Sequence, residues 1–136
     1  MLLHNDFITY FPKMGMDKSL RRVLQKQHYG IVGEEAAVKT CHWLKEKLLR
    51  GRSCYKETFY GIECHRCLQM TPTVTQCTHN CLFCWRYQGF KSKEPEFLPP
   101  EELLEKAVAA QRELITGFKG DSRVNLAMWE EATKPT

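Results

Sequence analysis

"VTQCTHNCLFCWRY", residues 74–87, puts three of the chain's seven cysteines, Cys77, Cys81 and Cys84, inside eight positions. The segment leading into it, "CLQMTPTVTQ" (67–76), has β-branched side chains and turn-rich borders and so predicts a strand. Pro72 has no N–H to give a ladder, which makes that strand irregular or free on one side. Beyond the cysteines, "FLPPEELLEKAVAAQRELITG" (97–117) is the clearest helix in the chain. Prolines precede its first turn, Glu101 and Glu102 lie near its positive end, Leu103, Ala107, Ala110 and Leu114 share one face, and Gly117 ends it. A last helix is expected over Ser122–Ala132. Strand, cysteine loop and helices open a β/α architecture, so the expected class is α/β. One strand cannot form a sheet, so a parallel neighbour is expected further along than the chain runs.

Upstream, "DKSLRRVLQKQHYG" (17–30) spaces Leu20, Val23, Leu24 and Gln27 at helical intervals, with Asp17 as N-cap and Gly30 as stop. "GEEAAVKTCHWLKEKLLRG" (33–51) reads as a second helix with Ala37, Cys41, Leu44 and Leu48 on one face, acidic residues in its first turn and Gly51 at its end. This reading points Cys41 inward. No internal repeat or low-complexity tract is present.

With 136 residues, 43% apolar and 26% charged, the chain suits one ordinary globular domain. No stretch has the length of uncharged apolar residues that a membrane span needs, and "MLLHNDFITYFPKMGMDK" lacks the basic start and apolar middle of a signal peptide. The expected setting is therefore soluble and cytoplasmic. There thiols stay reduced, and an odd number of cysteines argues further against a disulfide framework, which leaves metal or redox chemistry. The net charge of +4 is uneven: residues 1–59 hold 11 Lys/Arg against 6 Asp/Glu, and residues 60–136 hold 9 against 10. The basic half is compatible with a polyanionic partner such as RNA.

Two metal readings compete. Cys64-x2-Cys67 and Cys81-x2-Cys84, 13 residues apart, have the spacing of a four-thiolate zinc site, which would suit a small RNA-recognition module. That leaves Cys41, Cys54 and Cys77 without a role, and neither pair is followed by the glycine of a zinc knuckle. Alternatively, Cys77-x3-Cys81-x2-Cys84 gives three thiolates to a four-iron cluster and leaves one iron open to a small molecule. Phe83 completes Cys-x3-Cys-x-aromatic-Cys and offers a ring to an adenine, or else simply packs in a core. A plain electron carrier fits poorly, since no fourth cysteine stands at ferredoxin spacing.

The triad resembles the signature of radical S-adenosylmethionine enzymes. The resemblance implies that S-adenosylmethionine chelates the open iron and is cleaved by one electron to a 5′-deoxyadenosyl radical. Cys41, Cys54 and Cys67 recur at intervals of 13, with Cys67 ten residues before Cys77. With its flanking text, "VKTCHWLKEKLLRGRSCYKETFYGIECHRCLQMTPTVTQCTHNCLFCWR", this series is similar to the tRNA 4-demethylwyosine synthase family from about residue 18 onward. That resemblance implies a second four-iron cluster on Cys41, Cys54 and Cys67, whose open iron engages pyruvate. It also implies a Schiff base between pyruvate and Lys56, and condensation of pyruvate with N1-methylguanosine in the anticodon loop of phenylalanine tRNA. An external electron donor and a monomeric state go with it. Cys64 is left over.

The same resemblance divides the chain into a basic, mostly helical extension (1–60) carrying Cys41 and Cys54, and the opening of a partial β/α barrel (61–136). The later strands that hold the rest of S-adenosylmethionine are missing, so the chain reads as an inactive fragment. His65, Arg66, His79, Trp85 and Arg86 flank the cysteines. The arginines are placed to balance an anionic cluster or to touch a phosphate. Lys45, Lys47, Arg50, Arg52 and Lys56 interleave with Trp43, Tyr55, Phe59 and Tyr60, an arrangement suited to phosphates and splayed-out bases or equally to a solvated helix end.

Overall fold

The computed structural model describes residues 16–88 and 97–136. The first 15 residues of the predicted extension lie outside them. Helix α1 spans Lys18–Lys26, capped by Asp17, whose side chain accepts the Ser19 N–H. It stops before Gly30. His28 takes a left-handed φ of 63°, and strand β1 begins at Tyr29.

β1 (Tyr29–Val32) and β2 (Ala36–Lys39) form a hairpin, and β3 (Met70–Thr71) pairs with the far side of β2, both pairings being antiparallel. Two expectations are corrected here. Residues 36–39 are strand, not the first half of a helix, and they lie between β1 and β3 in a three-stranded antiparallel sheet among the described residues. The long strand expected before the cysteines is only two residues. Period-2 burial accounts for the first error: Tyr29, Ile31 and Ala37 face a core containing Leu20 and Leu24 of α1, while Val32, Ala36 and Val38 face the opposite way.

That opposite face is covered by α4 (Pro100–Thr116), which follows its expectation closely, with Ala107 fully buried and Leu103, Ala110 and Leu114 packed around it. The sheet therefore lies between α1 and α4. Gly30 belongs to this contact, since a Cβ there would stand 3.3 Å from Cβ of Ala110. The remainder of the predicted second helix is α2 (His42–Arg50), ended by Gly51 in the left-handed region. Leu44 and Leu48 of α2 pack on Ile115 of α4 and Ala132 of α5 (Leu126–Ala132). That last helix starts at Leu126, four residues later than expected, because Asn125 caps it by accepting the Met128 N–H. Between α2 and β3 lie the short α3 (Tyr55–Tyr60) and a 3-10 turn over Cys64–Arg66.

Gly33 turns the hairpin at φ 60°, and a Cβ there would lie 2.9 Å from Cδ1 of Leu98. Gly33→Ala is expected to cost about 1–2 kcal/mol of stability, through left-handed strain and displacement of Leu98. A urea titration reads this as a lowered midpoint with an unchanged slope.

Candidate cluster-binding site

Cys41, Cys54 and Cys67 sit where helical elements begin or end, and Cys77, Cys81 and Cys84 lie in the loop that follows β3. Cys41 is the N-cap of α2 and Cys54 the N-cap of α3, neither making a side-chain capping bond, and Cys67 follows the 3-10 turn. Cys41 is thus not on the face of a helix but at its start. It touches the α2–α4–α5 core with one side and opens to a cleft with the other.

The cleft has a volume of about 520 Å³, and Cys41, Cys54, Lys56, Cys64 and Cys67 line it with Trp43, Tyr55 and Trp85 at its walls. The residues expected to form a second group, 26 positions apart from end to end, are brought together. Burial pushes the Cys67 thiol up, the neighbouring Cys54 and Cys41 add to that, and Lys56 opposes it. Trp85, next to Cys84, belongs to the same cleft, so the triad loop borders it.

Cys64 shares the cleft but is engaged otherwise. Burial first, then hydrogen bonding of the thiol to Glu57, push it up to about 12, although the Cys54 N–H works the other way. Geometry weighs against the zinc reading. A tetrahedral zinc with bonds of about 2.3 Å holds its sulfurs roughly 4 Å apart, yet among the described residues no three cysteines offer sulfurs within 4.8 Å of one another. Cysteines that each bind a different iron of one cluster stand further apart.

Glu57 is the residue that sequence reading missed here. It accepts from Lys47, from Ser53 Oγ at 2.8 Å and from the Cys64 N–H at 3.1 Å, tying α2, α3 and the 3-10 turn together. Lys47 is therefore engaged within the fold, by Ser53 and Glu57. Burial opposes ionisation of Glu57, but hydrogen bonds from the Cys64 thiol, Lys47, the Cys64 N–H and Ser53 outweigh it and hold the carboxyl at about 2, against an ordinary 4.5. A lowered folded-state value stabilises the fold fully above pH 4.5, and the contribution is lost as pH falls toward 2. Glu57→Gln is expected to cost about 2 kcal/mol at pH 7. Denaturation curves of variant and parent should converge as pH approaches 2.

In the triad loop Cys77 is exposed and Cys81 and Cys84 are half-buried. The Cys84 N–H donates to Cys81 O at 3.1 Å, and the His79 N–H to Cys77 Sγ at 3.4 Å, while the His79 ring pairs with the Thr78 hydroxyl at 2.9 Å. The backbone N–H of Arg86 and the side chain of Gln88, outweighing burial, hold the Cys84 thiol below its usual range. Phe83 is 91% exposed, which excludes the core-packing alternative among the described residues. Tyr29 pins the end of the loop: its hydroxyl donates to Trp85 O at 2.8 Å and its ring stacks on the indole, centroids 6.2 Å apart.

The flanking arginines are hydrogen-bonded within the fold. Arg86 gives its guanidinium to Thr71, Thr73 and Gln76, and Arg66 donates to Glu63 and to Lys134 O, so both serve the fold. His65 is buried with Nε2 2.7 Å from Glu131, which docks α5 on the turn before Cys67. From the basic–aromatic stretch, Tyr55, Phe59 and Tyr60 are exposed, while Arg50 and Arg52 pair with the buried Glu46. No helix among the described residues is long and apolar enough to cross a membrane.

No protein-family model matches the chain. A protein of Pyrococcus horikoshii named S-adenosyl-L-methionine-dependent tRNA 4-demethylwyosine synthase is 47% identical over 133 residues, covering 95% of this chain and 39% of its own length. The Methanocaldococcus jannaschii protein of that name is 40% identical over 126 residues, 87% of this chain and 40% of the relative. Among solved structures, "Structure of TYW1 with a lysine-pyruvate adduct bound" superposes with a TM-score of 0.77 at 40% identity, covering 89% of this chain and 40% of that one. "Crystal structure of archaeal TYW1" superposes at 0.68 and 38% identity, covering 88% and 40%. The chain spans about 40% of the length of these archaeal relatives.

Proposed function

We propose that this chain, which belongs to the tRNA 4-demethylwyosine synthase family, carries the iron-binding and pyruvate-binding residues for making 4-demethylwyosine from N1-methylguanosine in phenylalanine tRNA. The observation that carries the reading is the single cleft where Cys41, Cys54, Cys67 and Lys56 meet beside Trp85 of the triad loop. Cys77, Cys81 and Cys84 would hold one four-iron cluster, and Cys41, Cys54 and Cys67 the other. The donor sets fit: Cys41, Cys54 and Cys67 line one cleft, and Cys77, Cys81 and Cys84 share one loop outside the helices and strands, all six as free thiols. When bound, the clusters supply one electron to S-adenosylmethionine at the first site and a coordination position for pyruvate at the second.

The chain's own residues do the rest of the work assigned here. Phe83, exposed beside Cys84, lays its ring against the adenine. Lys56 attacks the pyruvate ketone through its amine, forming an imine and releasing water, and so fixes the two-carbon donor on α3. Glu57, its chain neighbour, keeps α3 in place through Lys47 and Cys64. The exposed Tyr55, Phe59 and Tyr60 beside Lys56 form the side of the cleft that meets the anticodon loop, where an unstacked base is accessible.

Residues 1–60 serve as the extension that supplies Cys41 and Cys54, and 61–136 as the opening of a partial barrel. The described residues contain no parallel strands to bind the rest of S-adenosylmethionine, so the 136-residue chain alone is proposed not to turn over. It acts in the cytoplasm as a monomer and takes its electron from an external donor.

Anaerobic reconstitution with iron and sulfide tests the reading. The expected product is brown and holds about eight irons with equal sulfide. Colourless protein holding about one zinc would overturn it in favour of the zinc module.

A further inference from the structure

We propose that Glu35 and Arg86 form a brace that fixes both ends of the Cys77–Cys84 loop before iron arrives, which makes them positioning residues for the first cluster. The proposal rests on the assignment of those cysteines as ligands. In the sequence Glu35 reads as a helix-start acid and Arg86 as a cation placed to balance an anionic cluster or to touch a phosphate, and neither reading contains the brace.

Glu35, in the hairpin turn immediately before β2, is 1% exposed. Its carboxylate accepts the Thr75 hydroxyl, with the Thr73 hydroxyl at 3.5 Å, and its backbone carbonyl accepts the Val74 N–H at 2.6 Å. Three consecutive residues just ahead of Cys77 are therefore anchored to the sheet. Arg86, two residues after Cys84, donates to Thr73 O at 2.7 Å, to Thr71 Oγ1 at 3.2 Å and, through its other nitrogen, to Gln76 O at 3.2 Å. That last bond joins the residue before the first cysteine to the second residue after the last one. Thr73 is held by both partners, by the anion through its hydroxyl and by the cation through its carbonyl.

The arrangement meets two physical needs. Closing a loop costs entropy, and a brace made by the polypeptide spends that entropy on folding rather than on cluster binding. A cluster ligated by thiolates is anionic, and each added electron increases the charge. The guanidinium of Arg86, fixed two residues after Cys84 by its bonds to Thr73 O and Gln76 O, would therefore favour the reduced state of a cluster bound there and raise its potential. The fork matters for the first need, the charge for the second, so two substitutions separate them.

In the iron-free chain, Arg86→Gln and Glu35→Ala are each expected to lower hydrogen-exchange protection of the Val74 and Cys84 amides by roughly tenfold while leaving α4 unchanged. In a Cys54→Ala background, which leaves only the first cluster, Arg86→Gln is expected to shift its potential to more negative values. Arg86→Lys keeps the charge without the fork, so it should retain the potential and still lose the protection. Unchanged protection at Val74 and Cys84 overturns the brace, as does a loss spread equally over α4, which signals general unfolding. An unchanged potential in Arg86→Gln overturns the electrostatic role. If the parent chain takes up no iron while the apo protection falls as stated, the brace stands and the ligand assignment fails.

Discussion

Replacing Cys81 with alanine is expected to halve the iron of the reconstituted chain, from about eight atoms to about four, and to leave the remaining cluster on Cys41, Cys54 and Cys67. Cys81 is half-buried at the middle of the triad loop, and its carbonyl, not its sulfur, makes the local hydrogen bonds, to the Cys84 N–H and to Gln88 Nε2 at 2.9 Å. Removing the sulfur therefore spares the loop and takes away one of three anchors. A cluster held by two cysteines is not expected to survive gel filtration. Cys54→Ala should produce the complementary half-loaded species. Cys64→Ser is the control: its thiol is already bonded to Glu57, so iron content should stay at about eight. A four-thiolate zinc site predicts another pattern, in which Cys64 and Cys81 are both essential and Cys54 is dispensable. Metal analysis and visible absorption of the three variants discriminate the two, and a full iron complement in Cys81→Ala would eliminate the triad.

The sequence already contained the cysteine groups, because ligand spacing is a property of the chain. It contained α4, because 17 residues of helical period with prolines before and glycine after leave little competition. Residues 33–41 misled for a physical reason. Ala36, Ala37 and Lys39 are common in helices, and Glu34 and Glu35 suit a first turn, but pairing with β1 and burial on both faces of the sheet decide the matter locally. Tertiary context overrides propensity in such short segments. The polar framework of the site was illegible for a related reason. Glu57 reaches Lys47 across ten positions and Arg86 reaches Thr71 across fifteen, separations that no helical or strand period announces. A buried carboxylate and an arginine spent on carbonyls become visible only when the chain is folded.

Lys56→Ala is expected to abolish covalent capture of pyruvate under reducing conditions, whereas Lys45→Ala on the neighbouring helix leaves it intact. Lys56 lines the cleft with Cys54 and Cys67, one position before the Glu57 network that fixes α3. Lys45, also solvent-exposed, lines a different cavity on the far side of Cys41. Borohydride converts an imine to a stable secondary amine, so mass spectrometry reads the adduct site directly, with or without iron. Glu57→Gln should weaken capture without abolishing it, because loosening α3 displaces the amine but leaves it in place chemically. Equal labelling of Lys45 and Lys56 would mean that pyruvate reacts with any exposed lysine and that the cleft selects nothing. Labelling confined to Lys56 would join the cysteine cleft to the two-carbon donor through a residue whose position the fold determines.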